Sequence, residues 1–96
     1  MSIIEQSNVL VWSEANINEA PETCGVYTLR TDTTVASIGY VGSAGAGRLR
    51  ARLLEHWTNH DHPRTKYFHW AQCSDAENAG KVESVWIERY KPPWND

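Results

Sequence analysis

Tyr27, Tyr40, Arg52 and Glu83 are the residues of this chain whose types and spacing could do chemistry together. A guanidinium is planar and offers parallel N–H donors, so Arg52 could clamp two oxygens of a phosphate. A carboxylate is a hard oxygen donor. Mg²⁺ is often held by one or two of these, with phosphate and water completing its shell, and Glu83 could be such a ligand. A phenol both donates and accepts, with an ordinary pKa of about 10. Beside a cation or a metal ion, Tyr27 or Tyr40 could move toward a usable general base. Each residue also has a plainer reading. Two strand tyrosines fill a small core, an Arg supports its own helix through Glu55 or His56, and a Glu on a helix flank is solvated.

The elements that position these side chains follow from local pattern. Gly25-Val26-Tyr27, extended by Thr28 to Arg30, and Tyr40-Val41-Gly42, preceded by Ala36 to Ile38, are two short apolar runs. Thr31-Asp32-Thr33-Thr34 between them supplies turn chemistry, because these side chains bond their own backbone. The pair is expected to form adjacent antiparallel strands that bring the two tyrosines near each other. Ser43 and the small residues to Gly47 allow a tight turn. Arg48 to Trp57 is expected to be a helix, with Leu49, Leu53 and Trp57 on its buried face and Arg48, Arg52 and His56 in a parallel cationic row. Thr58 to Arg64 reads as a loop and Lys66 to Cys73 as a third strand. Ser74 and Glu77 suit a capping box for a second helix that runs to about Tyr90 and stops before Pro92-Pro93. Upstream, Val9 to Trp12 reads as an edge strand or packing arm. Ser13 is expected to cap one helical turn within Ser13 to Glu19. The expected architecture is α+β, a small three-stranded antiparallel sheet flanked by helices. It forms one domain over residues 1–96, with 1–20 as an N-terminal arm.

Composition bounds the function classes. Forty-one per cent apolar residues and five Trp argue for a folded chain. The formal net charge is −3, which argues against nucleic-acid binding by bulk charge alone. The distribution is uneven. Residues 1–29 carry Glu5, Glu14, Glu19 and Glu22 and no Lys or Arg, whereas Arg48, Arg50, Arg52, Arg64, Lys66 and all four His fall within residues 42–70. That middle region is the expected anion-facing side. Cys24 and Cys73 are expected to be thiols, and no leader or membrane-length apolar run is apparent, so the expected location is cytoplasmic.

Taken together, the motifs resemble those of the GIY-YIG nuclease superfamily. Gly25-Val26-Tyr27 and Tyr40-Val41-Gly42 resemble its two naming triplets. Arg52-Leu53-Leu54-Glu55-His56 resembles the Arg-x-x-x-His of its first helix. Glu83-Ser84-Val85-Trp86-Ile87 and Lys91-Pro92-Pro93-Trp94-Asn95 resemble its Glu helix and its Pro-x-aromatic-Asn close. The likeness runs in order from about Pro21 to Asn95. It is similar to the N-terminal nuclease domain of the bacterial excision-repair nuclease subunit and has some likeness to phage homing endonucleases. The resemblance implies a DNA endonuclease that uses Mg²⁺ or Mn²⁺, in repair, recombination or restriction. Arg52 would hold the scissile phosphate and Glu83 the metal ion. Tyr27 or Tyr40 would orient or deprotonate the attacking water. His56 would be a donor or proton relay. Gly42, Ser43, Arg48, Arg50 and Asn95 would line the substrate, with Asn95 chiefly anchoring the chain end.

The stretch Ala44-Gly45-Ala46-Gly47 is longer than the usual spacing by about two residues, so Arg50 or Arg48 competes with Arg52 for the phosphate. Many relatives carry a further DNA-binding domain. With an acidic net charge, DNA affinity is expected to be weak and salt-dependent, and a protein partner or a homodimer would supply specificity. The rival reading is a weak or inactive nucleic-acid-binding module or subunit. His56, His60 and His62 with Asp61 are dense enough for zinc, but His60-x-His62 sits beside Pro63 and no Cys pair has structural-zinc spacing. A solvated loop near the DNA is the expectation there.

Overall fold

The structure, a computed structural model, describes residues 3–95. Strands β1 (Ile3–Gln6) and β2 (Leu10–Val11) precede a single-turn helix α1 (Glu14–Ile17). The hairpin β3 (Gly25–Arg30) and β4 (Ile38–Ala44) follows, then helix α2 (Leu49–Asn59), strand β5 (Tyr67–Cys73) and helix α3 (Ala76–Tyr90). Every strand pairing is antiparallel, in the order β1-β5-β3-β4, with β2 beside β1 on the outer edge of β5. The sheet therefore has five strands rather than the three expected from sequence. The arm anticipated at the N-terminus is a broken edge strand, continued between its halves by Ser7 N–H to the Trp70 carbonyl at 2.9 Å. Its first half is mostly exposed, so it lacks the apolar alternation that marks a strand in sequence.

β3 is central, and all six of its residues are buried. Alternation along it sends Tyr27 and Leu29 to one face and Val26 to the other. On the first face they pack with Ala44, Phe68, Leu49 and Leu53 of α2, and Ile17 and Ala20 of the N-terminal segment. On the second, Val26, Ala71 and Cys73 meet Ala79 of α3, with Val82 and Trp86 at the margin. Helices thus cover both faces of the sheet. Cys24 and Cys73 are buried free thiols. Among the described residues no helix is long and apolar enough to cross a membrane.

The caps are as simple chemistry dictates, with one correction. Ser13 Oγ accepts from Asn16 N–H at 3.2 Å and starts α1. At α3 the cap is Asp75, not Ser74: its carboxylate accepts from Asn78 N–H at 2.8 Å, while Ser74 Oγ takes the Asn78 side-chain amide. Both residue types cap well, and Asp75 holds the extended backbone that the position needs.

The α3 face also buries polar groups. His69 lies beside Trp86, and its Nε2–H donates to Gln6 Oε1 at 2.8 Å. Among the described residues its Nδ1 is buried without a partner. Burial, and secondarily the charge of Arg30, push this imidazole down from 6.5 to about 4. The folded state therefore holds neutral His69 where the unfolded chain would bind a proton. Its contribution is complete above pH 6.5 and is lost as pH falls toward 4, at a cost of about 3 kcal/mol. Urea unfolding between pH 7 and 4 checks this. His69→Gln should be less stable at pH 7 and should show a shallower acid-side loss than the unmodified chain.

Candidate active site

Strand register sets the first contact. Tyr27 stands opposite Gly42 across the β3–β4 pair, and Leu29 stands opposite Tyr40. The Tyr27 phenol runs across β4 directly over Gly42, where a Cβ would come within 2.5 Å of the Tyr27 hydroxyl and Cζ. The second triplet ends in glycine because its neighbour's phenol occupies the space of a side chain. The Tyr40 ring lies beside Tyr27, centroids 6.2 Å apart. Tyr27 is fully buried and Tyr40 half-buried.

Helix α2 brings His56 against this pair. The residue is buried, and its Nε2 lies 2.8 Å from the Tyr27 hydroxyl. On the other side of the ring, Nδ1 is 2.9 and 3.0 Å from the two carboxylate oxygens of Asp61. A carboxylate on Nδ1 keeps the proton there, so Nε2 is the acceptor and Tyr27 O–H donates to it. Sequence reasoning groups Asp61 with the histidines as a zinc candidate but misses its role here as the partner of His56 Nδ1. Asp61 reaches back because α2 ends at His60 in the left-handed conformation (φ 52, ψ 35), whose N–H still bonds the His56 carbonyl. The signal was Asn59-His60-Asp61 at a helix end.

The three arginines have separate fates. Arg52, one turn before His56, pairs with Glu55 at 2.5 Å, and its charge acts on both the Tyr27 and Tyr40 phenols. Arg48 takes the other oxygen of Glu55, also at 2.5 Å. Arg50 faces away: its Nε donates to the Ala20 carbonyl at 2.8 Å, and Nη1 is 3.4 Å from Glu22. Positions two apart on a helix do not share a face.

Glu83 comes from α3, in the opposite layer. Its Oε1 accepts from Ser43 Oγ at 2.9 Å, and among the described residues no cation pairs with it. Its charge is felt at both phenols. A half-buried carboxylate held by one neutral hydroxyl and unmatched by a cation fits a hard divalent ion such as Mg²⁺. Asn95 closes the outer edge of β4. Its Oδ1 accepts from Val41 N–H and its Nδ2 donates to the Val41 carbonyl, both at 2.8 Å. The Trp94 ring lies flat on Gly39, where a Cβ would meet it at 2.4 Å.

The electrostatics suit neutral phenols. Burial pushes Tyr27 well above the usual range, Tyr40 adds to this, and Arg52 opposes it. Tyr40 is also raised, again chiefly by burial, with Glu83 and Asp61 adding to the effect and Arg52 opposing it. Neither is ionised near neutral pH in the free protein. The glycine constraint is testable on its own. Gly42→Ala should force the Tyr27 ring off its contact with His56 and cost about 1–3 kcal/mol in thermal or urea unfolding, whereas Gly45→Ala, with nothing within 4 Å of its Cβ position, should cost less.

No family model matches the chain, and no curated protein matches it in sequence. Solved structures do match. The GIY-YIG N-terminal endonuclease domain of UvrC from Thermotoga maritima, bound to its catalytic divalent cation, magnesium, superposes with a TM-score of 0.71 at 24% identity, over 85% of this chain and 93% of that one. A variant of the same domain with an asparagine replaced by alanine gives 0.73 at 22% identity, over 85% and 92%. With sheet order, helix placement and triplet register all as described, this chain has the fold of the GIY-YIG endonuclease domain.

Proposed function

We propose that this chain is a metal-dependent endonuclease that hydrolyses phosphodiester bonds in DNA. The observation that carries the reading is the convergence of one guanidinium, one carboxylate without a cation and two phenols at one place, in a fold shared with a nuclease domain that binds a catalytic divalent cation. Arg52 takes the scissile phosphate, exchanging the oxygens of Glu55 for those of the substrate. Glu83, steadied by Ser43, holds Mg²⁺ or Mn²⁺. When bound, the ion stabilises charge on the phosphate and on the leaving oxygen.

Tyr40, the more exposed phenol, faces the attacking water, and Tyr27 connects that side to the helix. Because both phenols are held protonated, the resting acceptor is His56 Nε2. As the water attacks, a proton passes to the phenol side, Tyr27 gives its own to Nε2, and Asp61 faces the resulting imidazolium. Asn95 fixes the strand that carries Tyr40. Residues 1–96 act as one domain, and a cytoplasmic location is consistent with two free thiols. Specificity comes from a protein partner or a second copy. That part of the reading rests on the net charge of −3 and on Arg48 and Arg52 already being paired with Glu55.

Cleavage of nicked, branched and plain duplex DNA with Mg²⁺ or Mn²⁺ tests this. Glu83→Ala and Arg52→Ala should abolish cutting, Arg50→Ala should keep most of it, and Tyr40→Phe or His56→Gln should slow it by about 10²–10⁴-fold. If the unmodified chain and Glu83→Ala bind DNA but are equally inert on every substrate, the chain is a binding module and not a nuclease.

A further inference from the structure

His56, Asp61 and His62 each offer a donor atom, and all three atoms lie within 4.8 Å of one another. We propose that they form a second metal site, selective for Zn²⁺ over Mg²⁺, and that filling it silences the proton line from Tyr27. The silencing rests on the nuclease reading above; the metal site does not.

Tetrahedral Zn²⁺ with bonds of about 2.0–2.1 Å needs ligand atoms about 3.3 Å apart. His56 Nδ1 and the Asp61 carboxylate, at 2.9 Å, are already near that spacing. His62 follows the left-handed turn at His60. Its ring is held by Tyr40, centroids 4.5 Å apart, and by a parallel Trp94 at 5.7 Å. Two imidazoles and one carboxylate are a zinc ligand set that leaves a fourth position for water. A cavity of about 250 Å³, lined by Asp61, His62, Pro63, Arg64 and Trp94, adjoins the donors and gives an ion and its water a way in. Nitrogen donors favour Zn²⁺ over Mg²⁺, whereas Glu83 offers only oxygen. The two sites therefore differ in the metal they select. The loop is largely exposed, as expected from sequence, but Asp61 and His62 fold back onto the buried His56.

The link to Tyr27 is a tautomer. With Asp61 on Nδ1–H, His56 Nε2 accepts from Tyr27 O–H. A metal ion on Nδ1 displaces that proton to solvent. Nε2 takes one up from solvent, the ring stays neutral, and Nε2–H now donates to the Tyr27 oxygen. Proton transfer from Tyr27 then has no acceptor.

Co²⁺ titration followed by its visible d–d absorption tests the site, with isothermal titration of Zn²⁺ beside it. One equivalent should bind to the unmodified chain and to Glu83→Ala, without the thiolate charge-transfer band that Cys24 or Cys73 ligation would give. His62→Ala and Asp61→Asn should weaken binding by more than about tenfold, 1.4 kcal/mol. Unchanged binding in His62→Ala, or loss of it in Glu83→Ala, overturns the site. In a DNA cleavage assay with excess Mg²⁺, Zn²⁺ should remove most of the activity of the unmodified chain and a much smaller fraction of that left in His62→Ala. Zinc binding without inhibition overturns the silencing. A chain that binds Co²⁺ as expected but cuts no DNA leaves the site standing and refutes the nuclease reading.

Discussion

One antiparallel register, Tyr27 opposite Gly42, underlies the rest of the candidate site. It lays a phenol across β4 where no side chain competes, sets Tyr40 beside it, and turns Tyr27 toward the face that α2 covers. A slip of β3 by one residue would reverse every side chain on that strand. Tyr27 and Leu29 would then leave the α2 core, and the two phenols would no longer share a face. Core and chemistry therefore share one constraint. The apolar residues that hold the register, Leu29 and Phe68 among them, pack in the same cluster as Tyr27 and so support the site through the core.

Charge reaches the hairpin from both layers. α2 contributes Arg52 and His56, α3 contributes Glu83, and the hairpin residues at the site offer neutral hydroxyls. A central strand buried on both faces is a poor place for a lone ion, and the one it does carry, Arg30, lies at its end with Thr28 as partner. Helices at the margin carry charge at lower cost, with Glu55, Asp61 and Ser43 as partners. The Asn95 side chain imitates a strand backbone, donating and accepting at Val41, so the edge carrying Tyr40 is closed to a further strand.

The parts written in short-range chemistry were legible from sequence. The hairpin, α2, α3 and β5 each carry their own periodicity, and the Tyr, Arg and Glu motifs sit on them. The parts that depend on contacts distant in sequence were not legible. β1 is mostly exposed and is held by backbone pairing to β5, some seventy residues on, so its composition gives little sign of a strand. Ser74 and Asp75 are both good caps, and only backbone angles choose between them. Arg50 and Arg52 are chemically alike, but α2 turns one toward Ala20 and the other toward the phenols. Asp61 was legible beside the histidines, but its pairing with His56 became visible only through the left-handed residue His60, since no helical or strand period joins positions five apart across a helix end.

Glu55 holds Arg48 and Arg52 with its two oxygens. On the nuclease reading, the phosphate cradle behaves as an ion exchanger: an incoming phosphate displaces a resident anion instead of filling an empty cationic site. The guanidinium keeps its orientation and a counter-charge throughout. The entering anion gains only the difference between two similar pairings, so the grip on any one phosphate is modest. The returning carboxylate helps to eject the product.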